Sequence, residues 1–277
     1  MDARPGDRHA DPMADYTLVV SEVEIARYRL MAGRAVADES RQLALAGIRD
    51  GATVADVGCG PAAMSVALAG LVGPTGRVIG VERDPSARAA AAQVIAASGF
   101  GNVEVRDGIA TDTGLPPGSV DVAMMRHVLA HNGGDEQRIV DHLATLVRPG
   151  GAVYLVDVDL RGIRILDNDP ELTGMSERYA DFHAARGNDP QVGLRLRKLL
   201  TAAGLEVEDF TGTFSILELP PGVRPPAWAA REAMVAQGAV TPSDIARWGA
   251  AFERMDAQAV RPTAFAPQFV GIGRRPA

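Results

Sequence analysis

The chain has 277 residues, 47% of them hydrophobic, and a formal net charge of −7 at pH 7. That length can bury a substantial core, and no apolar run approaches the ~20 residues of a membrane span. The negative balance argues against a nucleic-acid surface, which needs clustered cations, and the single cysteine, Cys59, excludes an internal disulfide and fits a reducing cytoplasm. Residues 1–13 are polar, lack the apolar core of a signal peptide and read as a disordered lead. Over 16–49 the pattern is helical, with Ile25, Ala26, Leu30 and Met31 and then Leu43, Leu45 and Ile48, and Gly51 is the expected stop.

The stretch from Thr53 to Ala62 organises the rest of the chain. Val54 and Val57 suit a strand buried on both faces. Gly58 and Gly60 let the chain turn sharply and let a ligand lie against bare backbone. Pro61 fits a first helical turn, with Met64, Leu68 and Leu71 next at helical spacing and a stop at Gly73-Pro74. A second strand is expected over 76–82, and Asp84-Pro85 caps and opens a helix to Ser98. A third strand over 103–106 ends in Asp107-Gly108. A fourth covers 120–125, an amphipathic helix 135–147, and a fifth strand 152–158 after the break at Arg148-Pro149-Gly150-Gly151.

Strand and helix alternate at short intervals, which gives an α/β fold with a doubly wound, mostly parallel sheet. After Asp159 the rhythm changes. Helices are expected over 175–186 and 191–203, a strand over 205–210, a helical insertion over 223–258 and a last strand over 265–273. No long linker interrupts the pattern, so residues 14–277 read as a single domain with insertions at about 161–189 and 223–258.

Asp56-Val57-Gly58-Cys59-Gly60-Pro61-Ala62 resembles motif I of the class I, Rossmann-like S-adenosylmethionine (SAM)-dependent methyltransferases, with Ala62 in place of the last glycine. Glu82 after the second strand, Asp107 after the third, Arg126-His127 after the fourth and the Arg148-Pro149-Gly150-Gly151 turn complete an ordered set. The resemblance covers about residues 16–273 and is closest to bacterial small-molecule enzymes. It implies a seven-stranded sheet, SAM as cofactor and S-adenosylhomocysteine as product. It further implies a small-molecule acceptor methylated at oxygen, nitrogen or carbon, with no nucleic acid or membrane as partner, in a cytoplasmic protein that is free to form a homodimer. Carried over position by position, the cofactor contacts are Asp56, Gly58, Cys59, Gly60, Glu82, Arg83, Asp107, Gly108, Arg126 and His127. Glu82 takes the ribose hydroxyls and Asp107 lies beside the adenine amino group. Tyr16 and Arg29, on an N-terminal helical lid with Arg27 and Tyr28, complete the set, although a solvated helix face accounts for that segment equally well.

Two other readings stay open. Gly58-x-Gly60-x-x-Ala63 with Glu82 downstream also satisfies a loose dinucleotide fingerprint, although a carboxylate at Asp56 attracts the cationic end of SAM and repels a pyrophosphate. A SAM-type fold repurposed as a cyclase or scaffold is the third reading, since fold does not fix chemistry.

For proton removal the candidates are His127 and His131, which flank Val128-Leu129-Ala130 and align if that segment is helical. His131 as a turn residue and His127 as a cofactor contact are the competing readings. His183, beside Tyr179 and Phe182, reads first as a core or surface residue, with a place facing the acceptor pocket as the other reading. Asp157, Asp159, Asp167 and Asp169 have the oxygen chemistry of a hard-cation site but no defining spacing, so no metal is assigned. Trp228, Met234, Trp248, Phe252 and Met255 read as core, or as the wall of an apolar acceptor pocket. Cys59, between two glycines, reads as a small filler.

Overall fold

The computed structural model describes residues 22–277; Tyr16 and the lead 1–13 lie outside them. Two helices come first, α1 (Glu22–Asp38) and α2 (Ser40–Ala46). Gly47, left-handed at φ 100°, closes α2 with its N–H on the Ala44 carbonyl, so the helix stops ahead of the expected Gly51. The alternating core is β1 (Thr53–Val57), α3 (Ala63–Val72), β2 (Arg77–Glu82), α4 (Pro85–Ser98), β3 (Val103–Asp107), β4 (Val120–Arg126), α5 (Glu136–Leu146) and β5 (Val147–Val158). Asp84 caps α4 as expected, its Oδ1 accepting the Ala87 N–H at 2.7 Å. The remainder comprises β6 (Arg164–Leu166), α6 (Met175–Ala185), α7 (Leu196–Ala202), β7 (Glu206–Glu218), α8 (Pro226–Ala229), α9 (Arg231–Ala236), α10 (Pro242–Asp256) and β8 (Thr263–Arg274).

The sheet runs β3-β2-β1-β4-β5-β8. Neighbours from β3 to β5 are parallel, and β8 is antiparallel to β5 and β7. Two departures from the sequence reading have one cause. β8 outruns β5, whose last pair is Val158 with Gln268. Its residues Thr263, Ala264 and Phe265 find backbone partners on the short β6, an eighth strand. On its other edge β8 pairs with β7 along its whole length, so β7 continues to Glu218. The alternating Phe214 and Ile216 belong to that extension, where Phe214 stacks on Phe265 with ring centroids 4.9 Å apart.

Period-two alternation divides the core between the two faces of the sheet. Val54, Val122, Met124 and Tyr154 pack with Leu43 of α2 and Leu68 and Val72 of α3. Ala55, Ala123, Met125 and Leu155 pack with Ile139 and Leu143 of α5 and Leu196 and Leu200 of α7. A third cluster unites the two insertions: Met175, Tyr179 and Phe182 of α6 pack with Met234 of α9 and Trp248, Phe252 and Met255 of α10. Arg254 of α10 clamps Asp169 of the first insertion at 2.9 and 3.0 Å. The two insertions thus form one cap, and most of the aromatic and methionine set is its core. Among the described residues, no helix is long and apolar enough to cross a membrane.

Candidate active site

The parallel strands end on one edge of the sheet, and the winding reverses between β1 and β4. That reversal opens the crevice in which open α/β sheets bind ligands. The register places Asp56 beside Gly80 and pairs Glu82 directly with Asp107. Three carboxylates therefore line the ends of three adjacent strands.

The turn after β1 is built for close approach. Gly58 and Gly60 are left-handed, at φ 75° and 53°. A Cβ on Gly58 would stand 2.6 Å from Val128 Cγ2. The N–H groups of Gly58 and Cys59 donate to the Val81 carbonyl at 2.8 and 3.2 Å. Gly60 N–H donates to Glu82 Oε2 at 3.0 Å, and Asp84 N–H to Glu82 Oε1 at 2.9 Å. A carboxylate offers about four lone-pair sites, so each Glu82 oxygen keeps one for a further donor.

Pro61 lies in the turn, not in the first helical turn, because α3 begins at Ala63. Ala62 precedes it at φ 60° and ψ 21°, a left-handed conformation that costs an L-residue roughly 1–2 kcal/mol. The substitution of alanine for the motif's last glycine is thus a matter of backbone strain as well as helix approach.

Asp56 is buried and accepts Ser65 Oγ–H at 2.6 Å. Burial raises its carboxyl to about 6, with Ser65 and Arg126 opposing the rise. Burial, and then the Asp56 and Glu82 carboxylates, push the Cys59 thiol well above its usual range. Gly80 leaves space for this thiol, since a Cβ there would be 2.8 Å from Cys59 Sγ. Cys59 thus fills the space that Gly80 leaves, and its raised thiol lacks the thiolate character of a reactive cysteine. Asp107 is exposed and paired with Arg88 at 2.7 Å. A Cβ on Gly108 would sit 2.8 Å from Val81 Cγ1, and Arg83 is exposed.

Beyond β4 the arrangement differs from a helix. His127 is left-handed at φ 55° and its N–H donates to the Val156 carbonyl at 2.8 Å. Residues Leu129–His131 form a single 3-10 turn. His127 and His131 therefore lack the helical alignment that their spacing allows. Burial, and then the charges of Arg126, His131 and Arg27, lower His127 to about 3. His131 is exposed on its outer side, and it too is lowered, first by desolvation among its neighbours and then by the charges of Arg186 and Arg83. Buried Asp157 braces this turn: its Oδ2 accepts Ala130 N–H at 3.2 Å and its Oδ1 accepts Val158 N–H at 2.9 Å. Burial raises it to about 7.

Arg126 is committed to a partner that sequence reasoning missed. Glu39, between α1 and α2, grips it at 2.5 and 2.9 Å. Tyr154 Oη–H donates to the same carboxylate at 2.6 Å, and Gln268 Nε2 donates at 2.9 Å. On α1, Arg27 is the residue whose charge is felt at His127 and Tyr179, while Arg29 is exposed. Three of the four acids considered for a metal, Asp157, Asp159 and Asp169, have other partners, while Asp167 is exposed. Asp159 Oδ1 accepts from Arg161 N–H and Gln191 Nε2 at 3.0 and 3.1 Å, and Asp169 is held by Arg254. Among the described residues, no three His, Cys, Asp or Glu side chains converge as metal ligands.

A family model described as a methyltransferase domain matches residues 48–192, more than half of the chain. The chain belongs to the methyltransferase-domain family. SAM is the cofactor of this class, and β1 to β5 with the Asp56–Gly60 turn fall within the match. A nocamycin O-methyltransferase of Saccharothrix syringae is 38% identical over 116 residues, covering 42% of this chain and 41% of that protein. The chain thus spans less than half the length of that relative. A SAM-dependent methyltransferase from Aquifex aeolicus aligns over 88% of this chain and 97% of its own, with a TM-score of 0.50 and 15% identity. A solved cyclase aligns over 95% and 85%, with a TM-score of 0.54 and 17% identity. These two likenesses are of fold alone.

Proposed function

We propose that this methyltransferase-family chain moves the methyl group of SAM to an oxygen, nitrogen or carbon of a small-molecule acceptor. The observation that carries this reading is the Glu82 carboxylate. It is fixed by two backbone N–H groups and retains one lone pair per oxygen for a vicinal diol. Asp56 and Asp107 extend the negative field along the crevice, which favours a sulfonium and ammonium over a pyrophosphate. The transferred methyl is already activated, so the protein's main task is to hold acceptor and methyl in line. The cap, with α1, walls the acceptor side in this reading, and 14–277 acts as one cytoplasmic domain. Calorimetry decides the cofactor: SAM and S-adenosylhomocysteine bind, and NAD and NADP do not. Binding of NADP with no response to SAM would move the chain to the dehydrogenases. S-adenosylhomocysteine binding without methyl transfer to any acceptor would favour the cyclase or scaffold reading.

Where the acceptor must lose a proton, His127, assisted or replaced by His131, is the base in this reading. A lowered pKa keeps each imidazole neutral, so its lone pair is available throughout the neutral range. Protonation removes the base only in acid, near pH 3 for His127. With an acceptor that loses a hydroxyl proton, the two histidines therefore impose no fall in turnover from pH 9 to 6. Any fall there belongs to Asp157, raised to about 7, or Asp56, raised to about 6. A fall with a midpoint near 6.5 that is absent from the double variant His127→Ala/His131→Ala would mean a solvated, ordinary histidine. The double variant His127→Ala/His131→Ala lowers turnover about 10²-fold, the low end for a general base because a weakly basic imidazole pulls weakly. Full turnover in that variant would leave positioning alone as the explanation.

A further inference from the structure

His183, on α6, is 7% exposed. The rings of His131, Tyr179 and Phe182 lie 4.8, 4.5 and 5.5 Å from its own. Its Nδ1 is 3.1 Å from Asn188 Nδ2, and Asn188 Oδ1 accepts the Gly133 N–H at 3.0 Å. The second bond decides the tautomer. A backbone N–H only donates, so the amide atom facing Gly133 is the oxygen and the atom facing His183 is the NH2. Nδ1 therefore accepts, and neutral His183 carries its proton on Nε2. The frame has no slack: a Cβ on Gly133 would lie 1.8 Å from the Gly187 carbonyl oxygen. Burial, and then the charges of His131 and Arg186, lower His183 to about 4, which keeps it neutral. Nε2 is buried and, among the described residues, has no hydrogen-bond partner. Folded proteins seldom leave such a donor unpaired.

We propose that the Nε2–H of His183 anchors the acceptor by donating a hydrogen bond to one of its oxygens, beside the exposed ring of His131. The flanking rings of His131 and Tyr179 suit an oxygen on a flat, conjugated group, such as a carboxylate, enolate or phenolate. The inference rests on the methyltransferase reading of the site and adds the acceptor's chemistry to it. It also gives His183 a role distinct from that of a base, because its lone pair at Nδ1 is already occupied by Asn188.

The test uses the full chain labelled with 15N-histidine and saturated with S-adenosylhomocysteine, with benzoate as the oxygen probe and benzylamine as a size-matched control. His183 shows the neutral Nε2–H pattern at pH 7, and benzoate moves its Nε2–H resonance while benzylamine does not. His183→Phe, which keeps a ring and removes the donor, lowers benzoate affinity about tenfold, and His183→Gln, which restores an N–H, recovers part of it. S-adenosylhomocysteine affinity stays within about twofold in both, which reports an intact fold. A neutral Nδ1–H pattern, an Nε2–H that ignores benzoate or follows benzylamine, or an unchanged benzoate affinity in folded His183→Phe overturns the proposal. Failure of the unmutated chain to bind S-adenosylhomocysteine would instead sink the cofactor reading, and the same titrations without it would still judge the tautomer and the donor.

Discussion

Glu39→Ala is expected to destabilise the protein by about 3–5 kcal/mol, because it strands a nearly buried cation. The Arg126 side chain is 11% exposed and that of Glu39 3%. The carboxylate receives Arg126 through two bonds and also receives Tyr154 Oη–H and Gln268 Nε2. Alanine removes all four acceptor contacts at once and leaves three donors facing a void. For a chain of this size the loss amounts to a fall in Tm of roughly 6–20 °C. Glu39→Gln should lose less, since its amide oxygen still accepts from part of the set. The double variant Glu39→Ala/Arg126→Leu should regain part of the loss, since the stranded charge goes with the arginine. Denaturant unfolding of the three variants separates these cases. A loss under about 1 kcal/mol for Glu39→Ala would show that water reaches Arg126, and that this network does not hold the N-terminal helices to the sheet.

That network also marks where sequence reading ends. The Asp56–Gly60 turn was legible because its cause is local: a β-branched strand, two glycines and an acid lie within a few residues of one another. Glu82 and Asp107 were legible for a related reason, since each ends a short parallel strand and the register then sets them side by side. Glu39 had no such local mark. Its partners lie 87, 115 and 229 residues away, and beside Asp38 and Ser40 it reads as an ordinary exposed junction. The strand β6 is likewise a consequence of β8 extending past its last pair with β5, a relation between distant segments. The alternation Thr213-Phe214-Ser215-Ile216 was a usable signal for the full length of β7. His183 was visible as a residue that could face the acceptor pocket, but its tautomer was not, because that depends on Asn188 and on a backbone contact at Gly133.

Glu82→Ala should weaken SAM binding at least about tenfold, and on the order of a hundredfold where two hydroxyl bonds are lost, since charge-assisted bonds are worth about 1.5–3 kcal/mol each. The structure adds a second route to the same loss. Glu82 Oε2 holds the Gly60 N–H, so alanine also frees the left-handed glycine turn against which the ligand would lie. Glu82→Gln does not rescue the site: each oxygen faces a backbone N–H, and an amide NH2 in either position sets donor against donor. Calorimetry with S-adenosylhomocysteine measures the affinity, and hydrogen exchange at Gly60 reports the turn. Both should change together in Glu82→Ala, while thermal unfolding changes little beyond the lost loop contacts. Faster exchange with unchanged affinity would mean that the carboxylate only shapes the turn and that the ribose is held elsewhere. If affinity falls and the Gly60 amide stays protected, the carboxylate acts on the ligand directly and the turn is held by the Val81 carbonyl, which already accepts from Gly58 and Cys59.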